Sequence, residues 1–100
     1  MYRVLALYPP PGDPEHFRSY YASTHVPLVN ALPGLRSFRY SLEPRGLGAD
    51  SPYFCVAELE FDNADALTAA LDSEQGKATV GDVPNYATGG ITLLHYELSS

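Results

Sequence analysis

The sequence has one cysteine, six basic residues and no apolar run long enough to span a bilayer. A single cysteine excludes an internal disulfide and is typical of a reducing compartment, so we expect a cytoplasmic protein. The six lysine and arginine residues are scattered along a chain of net charge −6. No basic stripe could follow a phosphate backbone, so nucleic acid is not an expected partner. The same acidity argues against an anionic membrane surface.

Motifs for metals, phosphates and targeting are also missing. The three histidines are dispersed, and no cysteine or histidine spacing suggests a metal site. The glycines of "PPPGD" and "RGLGAD" lack the spacing and context of a phosphate-binding loop. The opening "MYRVLALYPPP" has only a short apolar run before its prolines, which favours a strand over a signal peptide. We therefore expect neither a metal nor a cofactor.

The composition is that of one folded domain, residues 1–100. Hydrophobic residues make up 45% of the chain and charged residues 18%. Asp13 is an expected N-cap with Pro14 at the first helical position. Asp62 or Asn63 is expected to cap a second helix, "ADALTAALDSEQ", which Gly76 ends. Segment 77–88 receives no assignment beyond a short turn. The predicted strands are residues 2–8, 35–42, 53–61 and 91–98, and the first helix runs from about residue 14 to the "LPGL" segment at 32–35.

This order, β-α-β-β-α-β, predicts an α+β, ferredoxin-like fold in which both helices cover one face of a four-stranded antiparallel sheet. Such a sheet should have one polar face. The strands instead carry apolar residues on both sides, such as Val4 and Ala6 on one side of the first strand and Leu5 and Leu7 on the other. Covering the second face with another sheet predicts a homodimer through sheet-to-sheet packing. Its interior could hold a small apolar or weakly polar ligand.

The stretch "YYASTHVPLVNALPGL", residues 20–35, places His25 within an amphipathic helix close to Pro27. Because Pro27 has no N–H to donate to Ser23, the helix should break near Thr24 and His25. A break of this kind can present an imidazole to a pocket, where it could transfer protons near neutral pH. The structural alternative is a partly buried histidine that hydrogen-bonds to a backbone carbonyl.

The pattern Phe17-x-x-Tyr20-Tyr21-x-x-x-His25-x-Pro27-Leu28, followed by "LPGL" and a strand, resembles the EthD family. The resemblance spans the chain and implies a dimeric α+β barrel. It also implies that His25 is the residue for proton transfer and that Tyr20 and Tyr21 are the motif aromatics, with either one facing the pocket. Haem-degrading relatives bind iron through a histidine on the second helix, and residues 63–76 contain none.

Other candidate residues have weaker arguments. Phe38 and Tyr40 share a face of the second strand, and Tyr40 could offer its hydroxyl to a substrate or only pack. His95 is interpreted as a solvated strand end and His16 as a surface residue. Cys55 is interpreted as a buried structural thiol.

Three functions remain open. The first is a cofactor-independent enzyme of catabolism or secondary metabolism that isomerises or cyclises a small lactone-, ester- or polyketide-like molecule. His25 would be its acid/base, and tyrosine hydroxyls would stabilise oxygen charge. The second is a non-catalytic accessory protein that binds a small ligand. The third is a cofactor-free monooxygenase.

Overall fold

The computed structural model describes residues 1–99, and their four strands form one antiparallel sheet in the order β2-β3-β1-β4. The strands are β1 (Tyr2–Tyr8), β2 (Ser37–Ser41), β3 (Cys55–Phe61) and β4 (Thr92–Glu97). The helical segments are α1 (Pro14–Tyr20), a π-helical turn (Tyr21–His25), α2 (Val26–Asn30), α3 (Ala64–Asp72), α4 (Glu74–Asp82) and a 3₁₀ turn (Val83–Asn85). The predicted ferredoxin-like fold is confirmed. Within residues 1–99, no helix has the length and apolar character needed to cross a membrane.

The first helical segment begins and breaks where its sequence requires. The Asp13 side chain accepts a hydrogen bond from the backbone N–H of His16 at 3.1 Å, which confirms the predicted N-cap. Near Pro27 the helix widens, and the N–H of Val26 donates to the carbonyl of Tyr21, five residues earlier. The predicted break is therefore a π-helical turn, and the helix continues beyond it as α2.

The second helical segment differs from the prediction. Asn63 caps α3, but Ser73 ends this helix and starts another one, since its hydroxyl accepts from the N–H of Gly76 at 3.0 Å. Gly76 lies inside α4, so its prediction as the residue after a helix was wrong. A Cβ at Gly76 would lie 2.1 Å from the carbonyl oxygen of Ala70, which shows that glycine is needed for close packing against α3. Residues 77–82, left unassigned from the sequence, are helical.

The helices cover one face of the sheet. Small side chains occupy its centre, where Ala6 of β1 pairs with Ala57 of β3 and both are buried. No helix within residues 1–99 covers the opposite face, which is divided in two. One half is charged, with Arg3 bridging Glu58 and Glu60 at 3.0 and 3.1 Å. The other half is mostly apolar, with Leu5, Leu7, Val56, Leu94 and Tyr96 beside the polar Thr92.

Candidate functional site

His25 is buried at the end of the π-helical turn and faces the interior. Only 3% of its surface is exposed. It lies four positions after Tyr21, and in the widened turn the two rings lie on the same side, 5.3 Å apart. The ring of Tyr86 lies against the imidazole at 4.6 Å. The π-helical turn therefore directs the imidazole into a layer of aromatic rings.

The partner of His25 is a carboxylate. Nδ1 of His25 lies 3.0 Å from Oδ2 of Asp82, the last residue of α4. A carboxylate only accepts hydrogen bonds, so we assign the hydrogen to Nδ1, which leaves a lone pair on Nε2. Among residues 1–99, Nε2 of His25 has no hydrogen-bond partner, and the histidine lines a cavity. The structural alternative, a hydrogen bond to a backbone carbonyl, is not what the structure has at Nδ1.

Asp82 is held by further hydrogen bonds. The hydroxyl of Tyr20 donates to Oδ1 at 2.5 Å, and the side-chain amide of Asn85 donates to the same oxygen at 3.0 Å. The same amide also donates to the Tyr20 oxygen at 3.3 Å. Both carboxylate oxygens are thus engaged, which fixes the carboxylate plane relative to the imidazole.

The environment keeps His25 neutral and Asp82 ionised at neutral pH. Burial lowers the pKa of His25 below 6.5, and the hydrogen bond and charge of Asp82 offset this only in part. Burial pushes the pKa of Asp82 upward, but hydrogen bonds from Tyr20, Asn85 and His25 outweigh it and hold that pKa below 3.8. A neutral imidazole with a free Nε2 is the form that can accept a proton.

Tyrosine hydroxyls beside His25 remain protonated. The hydroxyls of Tyr8 and Tyr86 share a hydrogen bond of 2.7 Å in the core. Burial raises the pKa of Tyr8 to about 12. It also raises the pKa of Tyr21 and of Tyr86 well above the ordinary value. These phenols can donate hydrogen bonds to a developing negative charge but cannot serve as bases near neutral pH.

A cavity of about 160 Å³ lies between the helices and the sheet. His25, Tyr8 and Tyr21 line one side, and the paired alanines Ala6 and Ala57 form part of the sheet side. Its other lining residues are apolar except for Thr79 and His95. Four lining residues are substantially exposed and mark the mouth, namely Leu71, Val80, Leu93 and His95.

The aromatic residues identified from the sequence differ in whether they line the cavity. Tyr21 and Phe38 line the cavity. Tyr20 does not line it and instead donates to Asp82. Tyr40 also lies outside the lining, packs on Tyr21 and Phe38, and is 39% exposed. Of the two motif tyrosines, Tyr21 faces the cavity and Tyr20 supports the acidic partner of His25.

The remaining candidates lie mostly away from His25. His16 is exposed, as predicted, and its ring contacts the backbone carbonyl of Asn85 at 3.0 Å. His95 is exposed on β4, where Nδ1 shares a 2.6 Å hydrogen bond with the Tyr2 hydroxyl, but it also lines the cavity mouth, which the sequence did not indicate. Burial raises the pKa of Cys55 to about 12, so this thiol is not a nucleophile. Within residues 1–99, no group of three or more histidine, cysteine or acidic residues could hold a metal ion.

Asp82 and Asn85 were missed from the sequence. Both lie in segment 77–88, which received no assignment because "GDVP" interrupts its pattern. They follow His25 by 57 and 60 residues along the chain. The one available signal was Pro84, since proline is common one or two residues after the end of a helix. That signal indicates a terminus but does not indicate a contact with His25.

The family comparison gives a match over most of the chain. The model of the EthD domain matches residues 9–90, a range that contains both His25 and Asp82. The chain belongs to the EthD family. An uncharacterised 11.0 kDa protein of Rhodococcus erythropolis, from the thcB–thcC intergenic region, is 35% identical to this EthD chain over 94 residues. The alignment covers 94% of the chain and 91% of the relative.

Solved structures show the same fold for this EthD chain. A crystal structure of an ethyl tert-butyl ether D (EthD) family protein from Bacillus halodurans matches with a TM-score of 0.91 and 29% identity, covering 99% of each chain. A dimeric ferredoxin-like protein of unknown function from Jannaschia sp. matches with a TM-score of 0.78 and 17% identity, covering 97% of this chain and 98% of that one. The second likeness supports the fold alone.

Proposed function

We propose that this EthD protein is a cofactor-independent enzyme that transfers a proton on a small organic molecule bound in the cavity. The observation that carries the proposal is the Asp82–His25 pair, in which a fixed carboxylate leaves Nε2 of a neutral imidazole free beside the cavity. His25 would remove a proton from a carbon or oxygen of the bound molecule and return it at another position. Isomerisation or cyclisation of a lactone-, ester- or ketone-like compound needs such a step.

The surrounding groups support each stage of that step. When Nε2 takes the proton, the charge of Asp82 stabilises the resulting imidazolium. The hydroxyl of Tyr21, and that of Tyr8 when it accepts from Tyr86, remain protonated and can donate to the oxygen on which negative charge develops. The apolar lining strengthens these interactions because it excludes water. Cys55, protonated and buried, has no role in the step.

Hydrogen exchange in D₂O tests the proposal without knowledge of the product. A panel of lactones, esters and cyclic ketones is incubated with the protein, and NMR follows the loss of the C–H signal next to the carbonyl. We expect catalysed exchange with at least one compound and a loss of about a hundredfold in His25→Ala. The wild-type rate should increase with pH through a midpoint below 6.5 and then stay constant, because protonated His25 cannot accept a proton and its pKa is lowered by burial.

The outcome separates the enzyme from the non-catalytic binder. Exchange that persists in His25→Ala, or a midpoint above 6.5, would contradict the proposal. Binding of panel compounds by both proteins without exchange would favour the accessory protein. Oxygen consumption with a phenolic compound would favour the monooxygenase.

We also infer that the protein is a homodimer through the open face of the sheet. Leu94 and Tyr96 are 48% and 38% exposed there, beside Leu5, Leu7 and Val56. An apolar surface of this kind, continuous with the balanced charges of Arg3, Arg39, Glu58 and Glu60, suits a second copy of itself across a twofold axis. The dimeric relative from Jannaschia has the same fold.

The single buried cysteine also fits a cytoplasmic protein.

Sedimentation velocity tests the dimer. We expect the wild-type protein to sediment as a dimer and Leu94→Glu as a monomer, because a carboxylate at the centre of the contact would be buried without a partner. Leu47→Glu is the matched control, since Leu47 is fully exposed in a loop and its substitution should leave the dimer intact. A wild-type monomer, or a dimer unaffected by Leu94→Glu, would refute this interface.

A further inference from the structure

The volume of the cavity restricts the size of its ligand. An apolar cavity of about 150 Å³ is sufficient to bind benzene, and the cavity here has about 160 Å³. Its floor is the Ala6–Ala57 pair, and the buried side chains of Val29, Leu32 and Phe61 close other parts of it. Since these residues belong to the packed core, the cavity cannot widen without moving the helices from the sheet.

The lining of the cavity restricts the charge of its ligand. No lysine, arginine, aspartate or glutamate is among the lining residues of the described chain. A carboxylate or phosphate that entered would lose its hydration and find no fixed positive partner, which is strongly unfavourable. At the mouth, Leu71, Val80 and Leu93 are 45%, 58% and 58% exposed, so an entering molecule meets a rim that is apolar except for His95.

The hydrogen-bonding groups of the cavity restrict the chemistry further. The hydroxyl of Tyr8 is already bonded to Tyr86, and that of Thr79 donates to the carbonyl of Gln75 at 2.8 Å. Deep in the cavity, Nε2 of His25 has no hydrogen-bond partner among the described residues and, unlike the hydroxyl of Tyr21, it can only accept. A ligand that places an O–H or an acidic C–H there satisfies it, and a pure hydrocarbon does not.

We infer that the ligand of this cavity is an uncharged molecule with a single ring, carrying one acidic O–H or C–H group that contacts Nε2 of His25. This inference rests on the proposed function and makes it narrower, because it excludes polyketides of several fused rings and free carboxylic acids near neutral pH. Phenols and small enolisable cyclic ketones or lactones belong to the class that remains.

Isothermal titration calorimetry of the full chain at pH 7.5 (about one pH unit above the ordinary histidine pKa) tests the inference with four probes. Phenol fits all requirements, toluene lacks the O–H, benzoate is charged and 2-naphthol has two rings. We expect phenol to bind about tenfold more tightly than each of the others. In His25→Leu, the preference for phenol over toluene should disappear while toluene still binds.

A second part of the experiment places a larger side chain in the cavity. Leu67 is 8% exposed and lines the cavity, so Leu67→Phe should weaken phenol binding about tenfold or more. Leu47→Phe makes the same substitution at a fully exposed position and should leave binding unchanged. If Leu67→Phe fails to fold by circular dichroism, Leu71→Phe at the half-exposed mouth replaces it.

The outcomes distinguish this inference from the proposed function. Benzoate or 2-naphthol bound as tightly as phenol, no binding of phenol, or phenol binding unaffected by the filled cavity would overturn the ligand class. Selective phenol binding without hydrogen exchange of any panel compound would leave the ligand class standing and remove the enzyme. Exchange of two-ring or charged compounds would support the enzyme and overturn the ligand class.

Discussion

Asp82→Asn is expected to lower catalysed hydrogen exchange by about a hundredfold, as much as the loss of His25 itself, with the fold retained. The carboxylate of Asp82 accepts from Nδ1–H of His25 and so keeps the lone pair on Nε2, toward the cavity. An asparagine amide can donate to Nδ1 instead, which moves the ring hydrogen to Nε2 and blocks the base. It also removes the charge that stabilises the imidazolium. The NMR exchange assay measures the rate, and circular dichroism checks the fold.

Two variants sharpen this prediction. Asp72→Asn makes the same change at the exposed end of α3 and should leave exchange unaffected. Tyr20→Phe removes one of the hydrogen bonds to Asp82 and leaves the carboxylate in place, so we expect a smaller loss, of about tenfold. Equal rates for Asp82→Asn and wild type would show that the carboxylate only supports the structure.

Gly76→Ala should destabilise the protein by about 3 kcal/mol. The added Cβ would lie 2.1 Å from the carbonyl oxygen of Ala70 and 2.7 Å from the Cα of Leu71, both backbone atoms that cannot move aside by a rotamer change. The two helices α3 and α4 would have to separate. Since α4 ends in Asp82, this separation should also disturb the contact with His25. Urea denaturation at equilibrium measures the change in the free energy of unfolding.

Gly81→Ala is the matched control in the same helix. A Cβ at Gly81 meets nothing within 4 Å, and alanine favours the helical conformation over glycine. We expect this variant to stabilise the protein by about 0.5–1 kcal/mol. If both variants had equal effects on the free energy of unfolding, close packing at Gly76 would not be the reason for the glycine.

The fold could be predicted from the sequence because its signals are local. Asp13-Pro14 marks a helix start, Pro27 causes the break that ends at His25, and the strand segments are separated by proline- and glycine-containing turns. The error at Gly76 has the same origin. A glycine after an amphipathic run usually ends a helix, and only the approach of Ala70 in three dimensions shows why this one lies inside α4.

Of the Asp82–His25 pair, only His25 could be predicted from the sequence. His25 was accessible from its motif and from Pro27, which lie within a few residues of each other. Asp82 was not, because its contact with His25 depends on the register of α4 against the π-helical turn, and most of α4 was left unassigned. Tyr20 and Tyr21 are adjacent in sequence, and the structure shows that one reaches Asp82 and the other lines the cavity.

Two properties of the site, its reactivity and the depth of its cavity, depend on different layers of the fold. Reactivity belongs to the helical layer, through His25 and Asp82, whereas the depth of the cavity depends on Ala6 and Ala57 in the strands. A larger residue at either alanine would make the cavity shallower without touching the hydrogen bonds of the imidazole. Descendants of this chain can therefore change which molecules they admit while keeping the same proton-transfer machinery.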